Sequence, residues 1–188
     1  NNDRLFVIGN GSNDDTRSNA VTVLKSGNVG IGTSSPVALL HTSGTGTGGG
    51  NVLFDGVLKS LNPVEPPVSG AGTRMMWYPD KGAFRAGTVI GPNWDKDSIG
   101  YLSFAAGFDT RAKDYSTALG YATTATGVVS TAMGFATPAY GDYSMAFGSY
   151  AFAWGDHSTA MGYQTIASGH ITTALGDHTV AYGERSTA

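Results

Sequence analysis

A five-residue pattern returns every 14 residues through the second half of this 188-residue chain: Ser116-Thr117-Ala118-Leu119-Gly120, Ser130-Thr131-Ala132-Met133-Gly134, Ser144-Met145-Ala146-Phe147-Gly148, Ser158-Thr159-Ala160-Met161-Gly162 and Thr172-Thr173-Ala174-Leu175-Gly176. A fixed period of this kind means that one small unit is stacked on copies of itself. A sixth copy opens at Ser186-Thr187-Ala188, and a degenerate one, Ser103-Phe104-Ala105-Ala106-Gly107, lies 13 residues before Ser116. The chain therefore reads as a piece of a longer array.

A second glycine recurs at Gly127, Gly141, Gly155, Gly169 and Gly183, midway through each unit. Two glycines per unit predict two corners, with glycine supplying the positive φ of each bend. The runs between them are too short for helices and suit strands of about five residues. Stacked two-strand coils, a parallel β-roll solenoid, follow, and five coils at about 4.8 Å per step rise roughly 24 Å.

Strand alternation assigns the faces. Ala118, Ala132, Ala146, Ala160 and Ala174 never change, so they and the Ser or Thr two residues earlier face into a narrow roll. Leu119, Met133, Phe147, Met161 and Leu175 then point outward as an apolar stripe. Burying five such side chains at about 1.5–3 kcal/mol each would contribute roughly 7–15 kcal/mol per chain, so self-association is the physical expectation. In the other run Ala125, Ala139, Ala153, Ala167 and Ala181 face inward, and the outward columns Ala122/Ala136/Tyr150/Gln164/His178 and Thr126/Tyr140/Trp154/Ser168/Tyr182 vary freely.

Composition agrees with a thin roll. Glycine alone accounts for 28 residues, and with Ala, Ser and Thr it makes up nearly half the chain. A net charge of −3 leaves no basic footprint for nucleic acid, and no apolar run approaches the about 20 residues that span a bilayer. Zero cysteines exclude disulfides.

These coils resemble the YadA-like head repeats of trimeric autotransporter adhesins, as in Gly120-Tyr-Ala-Thr-Thr-Ala-Thr-Gly-Val-Val-Ser-Thr-Ala-Met-Gly134, and the resemblance covers 103–188. The stretch from Arg74 through Gly87, Trp94, Ile99 and Gly100 looks like the segment that leads into such heads. The runs Asp3–Ser12 and Asn19–Pro36 look like a module of phage tail-fibre-like bacterial surface proteins, whose mosaics include trimeric fibres that predatory bacteria use to recognise prey. The resemblance implies a homotrimer with the Leu/Met/Phe ladder near the threefold axis, a role in attachment, and a place at the cell surface, anchored through regions outside this chain. The chain departs from the family pattern in coil three, where Ser149 replaces the usual aromatic and Tyr150, Phe152 and Trp154 appear.

The expected organisation is a small β-rich module at 1–45, a Gly/Pro-rich connection at 46–72, a transition region at 73–102 capping the roll, and the roll at 103–188. Strands are expected at Leu5–Ile8, Val21–Leu24 and Val29–Thr33, with one more at Val52–Leu58, a turn at Asn10-Gly11 and a flexible joint at 43–50. Met75, Met76, Trp77 and Tyr78 are expected in the core of the transition region.

Tyr150, Phe152 and Trp154 stand at i, i+2 and i+4, which places all three on the outer face of coil three beside Tyr140 and Tyr182. Flat aromatic faces are platforms for sugar rings or apolar protein surface, so these five are the candidate site for a target-cell glycan or protein receptor, packing against a neighbouring subunit being the other use of such a patch. His41, His157, His170 and His178 lack ligand spacing, Asp95-Lys96-Asp97 lacks the ligand set of a calcium loop, and the glycine-rich stretch has no Gly-Lys-Ser/Thr, so no metal or cofactor is expected. Asp114, Asp142 and Asp156 read as turn residues rather than paired catalytic acids. A Thr column at 123, 137, 165 and 179 raises ice binding, against which the interruption at Ala151 weighs. The sequence points to a noncatalytic adhesive fibre segment, with a tail-fibre-like receptor-binding or polysaccharide-degrading protein and an inert spacer as alternatives.

Overall fold

The computed structural model describes residues 3–9, 19–44 and 50–188. It forms two compact units, Asn1–Phe54 and Asp55–Ala188.

In the first unit, β1 (Arg4–Gly9) pairs antiparallel with β2 (Asn19–Leu24), β2 antiparallel with β3 (Val29–Ile31), and β3 parallel with β4 (Leu40–Thr42). Thr22 and Leu24 are its buried residues on β2, whereas every side chain of β1 is exposed. Gly27, at φ 91°, turns β2 into β3. The sequence anticipates β1 to β3 and misses β4. It also predicts a strand at Val52–Leu58, and none forms, because no neighbouring strand offers a ladder to its backbone. The Asn10-Gly11 turn and the middle of the glycine-rich joint, 45–49, lie outside the described residues.

The second unit is the roll. One wall is an eight-stranded sheet that opens with the antiparallel hairpin β5 (Gly72–Tyr78) and β6 (Ala83–Val89) and continues as a parallel stack of β7 (Phe104–Phe108), β9 (Thr117–Tyr121), β11 (Thr131–Phe135), β13 (Met145–Ser149), β15 (Thr159–Tyr163) and β17 (Thr173–Asp177). The opposite wall stacks six two-residue strands, β8 (Arg111–Ala112), β10 (Thr124–Ala125), β12 (Pro138–Ala139), β14 (Phe152–Ala153), β16 (Ile166–Ala167) and β18 (Val180–Ala181). Register never slips: Ala118, Ala132, Ala146, Ala160 and Ala174 lie side by side, as do the glycines two residues on. Coils one to five are 116–129, 130–143, 144–157, 158–171 and 172–185.

The core of the roll is alanine from both walls, each with essentially no exposure. Ser116, Ser130, Ser144, Ser158 and Thr172 are buried with it, and several reach back three residues to close the corner, as Ser130 Oγ does to the Gly127 carbonyl at 2.6 Å.

The glycines do not make the corners in the expected way. Both bends of each coil are made by non-glycine residues in the left-handed region: Ala122, Ala136, Tyr150, Gln164 and His178 at φ 48–55°, and Tyr115, Val129, Tyr143, His157, Ile171 and Arg185 at φ 54–59°. That conformation costs about 1–2 kcal/mol for an L-residue. The preceding coil holds it in place, since the amides of Ala122, Ala136, Tyr150, Gln164 and His178 donate to carbonyls of that coil at 2.8–2.9 Å. Close approach requires the midway glycines Gly127, Gly141, Gly155 and Gly169, whereas the glycines that close the five-residue pattern, Gly120 to Gly176, also carry the expected positive φ, 118–129°. A Cβ on Gly141, whose φ is not left-handed, would lie 2.1 Å from the Gly155 carbonyl oxygen, and one on Gly148, at φ 125°, would lie 2.0 Å from that of Gly162.

At the start of the roll the alanine column ends in Arg85, which pairs with Ala105 and is fully buried. Its guanidinium donates to the carbonyls of Phe84, Ser103 and Ala112 and to Ser103 Oγ at 2.8–3.1 Å, and burial draws its pKa down to about 10. Trp94, also fully buried, donates Nε1–H to the Thr110 carbonyl at 2.8 Å and lies under the Arg74 guanidinium. Met76 and Tyr78 are core residues as expected, but Met75 and Trp77 are exposed, because alternation along β5 sends them to the other side.

Candidate functional site

The outward positions of the roll form two faces. On the long-strand wall, Leu119, Met133, Phe147, Met161 and Leu175 stand in one column and are half-covered to exposed, Leu175 at 47%. Their neighbours up and down the stack already shield them, so further burial would contribute about half of the 1.5–3 kcal/mol of a full transfer for each. Two residues further on is a second outward column that sequence reasoning passed over. Phe108 stacks on Tyr121 at 4.8 Å and Tyr121 on Phe135 at 4.9 Å. Ser149 interrupts this ladder, and Tyr150 turns its ring edge-on to Phe135 at 5.4 Å.

The expected trio needs one adjustment. Tyr150 occupies a left-handed corner, where strand alternation no longer applies, so it joins Phe152 across a groove rather than along the strand. Phe152 and Trp154 do share the short-strand wall, with parallel rings 6.3 Å apart, and Tyr140 packs on Trp154 at 4.5 Å. Tyr182 stands in the same column but is separated from Trp154 by Ser168 and is 74% exposed.

Tyr150 and Phe152 instead open a groove of about 400 Å³ that they line together with Gln164, Ile166, His178 and Val180. Two parallel columns make it: Tyr150, Gln164 and His178 at the corners, and Phe152, Ile166 and Val180 on β14, β16 and β18. The last column was not singled out in the sequence, although a signal existed. Coils one and two carry Ala122 and Ala136, Thr124 and Pro138 at these positions, so bulk arrives only at coil three.

Other singled-out residues have structural partners. Asp114, Asp142 and Asp156 each use Oδ1 to accept a backbone amide from the preceding coil, those of Tyr101, Val128 and Asp142, at 2.7–2.9 Å. Each carboxylate ties two coils together. His157 stacks flat on Tyr143 at 4.9 Å and meets His170 edge-on, and His178 Nδ1 is paired with Asp177. The Thr column expected on a surface is internal: Thr123, Thr137 and Thr165 are fully buried, which removes the basis for ice binding. Among the described residues no three His, Asp or Glu side chains are grouped to hold a metal ion.

The geometry of this array, with 14-residue coils, alanine inside and an apolar column outside, agrees with a known repeat. Residues 112–137, 139–165 and 167–188 match the YadA head domain repeat. The matched stretches take in both outer faces of the array, the apolar ladder and the groove. No curated protein matches the chain.

Proposed function

We propose that this chain is a noncatalytic segment of a trimeric surface fibre of the autotransporter-adhesin type, which attaches its cell to a target surface. One observation carries the reading. The ladder Leu119, Met133, Phe147, Met161 and Leu175 faces outward from a wall whose inner side is already filled by alanine, so the roll cannot cover it and a second and third copy of the roll can. Two further copies around a threefold axis place the three ladders together and leave each short-strand wall outside. The variable residues of that wall, Tyr140, Phe152, Trp154 and Tyr182 with Tyr150 at its corner, then meet a glycan or protein receptor. Three copies of a weak patch gain avidity without a deep pocket. The first unit, with its exposed β1, is the tail-fibre-like module of the same fibre, and the whole stands at the cell surface.

Light scattering on a size-exclusion column tests the assembly: a mass of three times the 19.3 kDa chain is expected, and a stable monomer would overturn it. Trp154→Thr, which installs the residue found at Thr126 in coil one, tests the role. Attachment to a panel of whole bacterial and animal cells should fall while the mass stays that of a trimer.

A further inference from the structure

We propose that the groove across coils three to five is a binding site for a neutral oligosaccharide, lying along the stacking direction. This inference rests on the adhesive reading above and names the class of ligand it would take.

The fold does not require the groove. What stacking demands of a coil is inside it, and coils one and two satisfy that demand with Ala122, Ala136, Thr124 and Pro138 at the same outer positions. In coils three to five those positions become Tyr150, Gln164 and His178 along one column and Phe152, Ile166 and Val180 along the other. The first column repeats hydrogen-bonding groups, a phenol, an amide and an imidazole, one per coil and about 4.8 Å apart. The second repeats apolar surface at the same step. A ligand matching both has an apolar face, a row of hydrogen-bonding groups along one side, and a short repeat of its own. A pyranose chain has these properties, with its ring C–H faces against Phe152, Ile166 and Val180 and its hydroxyls toward Tyr150, Gln164 and His178.

Charge and backbone narrow the choice. None of the six lining residues is an acid, lysine or arginine, so the groove holds no permanent cation to compensate a sialic acid, a uronic acid or a sulfate. The Asp177 carboxylate is paired with His178 Nδ1, so His178 offers an anion no uncompensated positive charge. Asp177 leaves His178 Nε2 for the ligand, and Gln164, whose Nε2 reaches the Tyr163 hydroxyl at 3.3 Å, keeps its amide oxygen. An extended peptide finds no purchase by strand addition. Two of the strands under the groove, β14 and β16, lie inside their ladder, with the amides of Phe152 and Ile166 already donating to the Thr165 and Thr179 carbonyls of the next coil, and a strand added to β18 at the end of that ladder would extend the stack rather than lie in the groove.

The test uses the full chain in its assembled form on a printed panel of neutral gluco-, galacto- and manno-configured oligosaccharides and their N-acetylated forms, beside sialylated, uronic and sulfated ones. Binding confined to neutral members is expected. Titration calorimetry of the best binder against Gln164→Ala and Phe152→Thr should then show at least a tenfold loss in each. Both variants copy residues that coil one already carries at Ala122 and Thr124, and Ala122 holds the same left-handed corner at φ 50°, so melting should be unchanged in Gln164→Ala and lowered in Phe152→Thr only by the loss of its ring contact with Trp154. His178→Ala serves as a third variant if either one misassembles. Binding restricted to acidic glycans, no binding on the panel, or neutral binding indifferent to all three variants would overturn the proposal. Attachment to whole cells separates the two readings: cells held equally by wild type and the groove variants overturn the groove and leave adhesion standing, whereas no attachment to any cell overturns adhesion itself.

Discussion

The start of the roll and its repeating coils belong to one continuous sheet, yet they fill their interiors by opposite means. From Ala105 onward the inside of the long-strand wall is alanine, and its stability lies in the backbone ladder and in how closely one coil can approach the next. One strand earlier the same position holds Arg85, and around it Trp94, Tyr78, Lys81 and Asp80 are buried through specific hydrogen bonds. A repeating coil has an identical neighbour to complete its backbone pairing and needs no side-chain identity beyond smallness. The turn of chain that precedes coil one and carries β7 and β8 has no repeating coil before it, so large polar groups supply the missing partners: Lys81 Nζ donates to the carbonyls of Lys96 and Ile99, and Arg85 to that of Ala112.

The largest expected effect comes from breaking smallness within a coil. Gly148→Ala places a Cβ 2.0 Å from the Gly162 carbonyl oxygen in a backbone at φ 125°. With neither strand able to withdraw without parting the ladder, the loss should be about 3 kcal/mol or more. Thermal melting followed by circular dichroism measures it. A wild-type melting temperature would mean that the coils are spaced more widely than the register describes, and that the contrast with the start of the roll is overstated.

The sequence makes the repeating half legible because two independent signals coincide there. Alternation assigns Ala118 inward and Leu119 outward, and repetition without change at 132, 146, 160 and 174 says which side is confined. It fails where a residue's conformation is set by the coil before it. Nothing local marks Gln164 or His157 as left-handed, since the force comes from amides donating to carbonyls 14 or 15 residues earlier. The same corner sets Tyr150 off the strand that carries Phe152 and brings the two together across a groove instead. The start of the roll is illegible for a different reason: Arg85 reads as a surface residue in Phe84-Arg85-Ala86, and only its pairing with Ala105 puts it at the head of the alanine column. The groove lay between these cases, because the corner column from Ala122 to His178 is visible in the sequence but the column Phe152, Ile166 and Val180 beside it had not been recognised as the second wall.

Among the groups at the start of the roll, Asp80 sharpens the comparison by its response to acid. The Lys59 ammonium and the Val64 amide both bond its carboxylate, and the lysine bond first of all holds its pKa below the usual 3.8. A carboxyl whose folded pKa is depressed contributes stability that is present above its unfolded value and lost as pH falls through the folded one. The melting temperatures of wild type and Asp80→Asn should therefore differ most at neutral pH and converge as pH drops below 3.8. Tyr78 works in the alkaline direction. Burial, and then the nearby Asp80 charge, push it up to about 12, so its contribution is present below pH 10 and lost as pH rises through 12. A gap between wild type and Asp80→Asn that stays constant with pH would show that the start of the roll is held by packing alone, as the coils are.

The smallest effect on stability is expected at the outer wall, and its smallness is informative. Replacing Trp154 by Thr removes its packing on Tyr140, a ring pair worth about 0.5–1.5 kcal/mol, and leaves the alanine core and the ladder untouched. Tyr150→Ala copies Ala136 at φ 48° in coil two and should cost less than about 0.5 kcal/mol beyond the loss of the edge contact with Phe135. If the double variant is within about 2 kcal/mol of wild type in stability and its solution mass is unchanged, the aromatic residues of coil three are not there to hold an assembly together, and their bulk is left to be explained by what they bind. A much larger loss, or dissociation to single chains, would place these rings between subunits, and the outer wall would then belong with the start of the roll, where large side chains serve the fold.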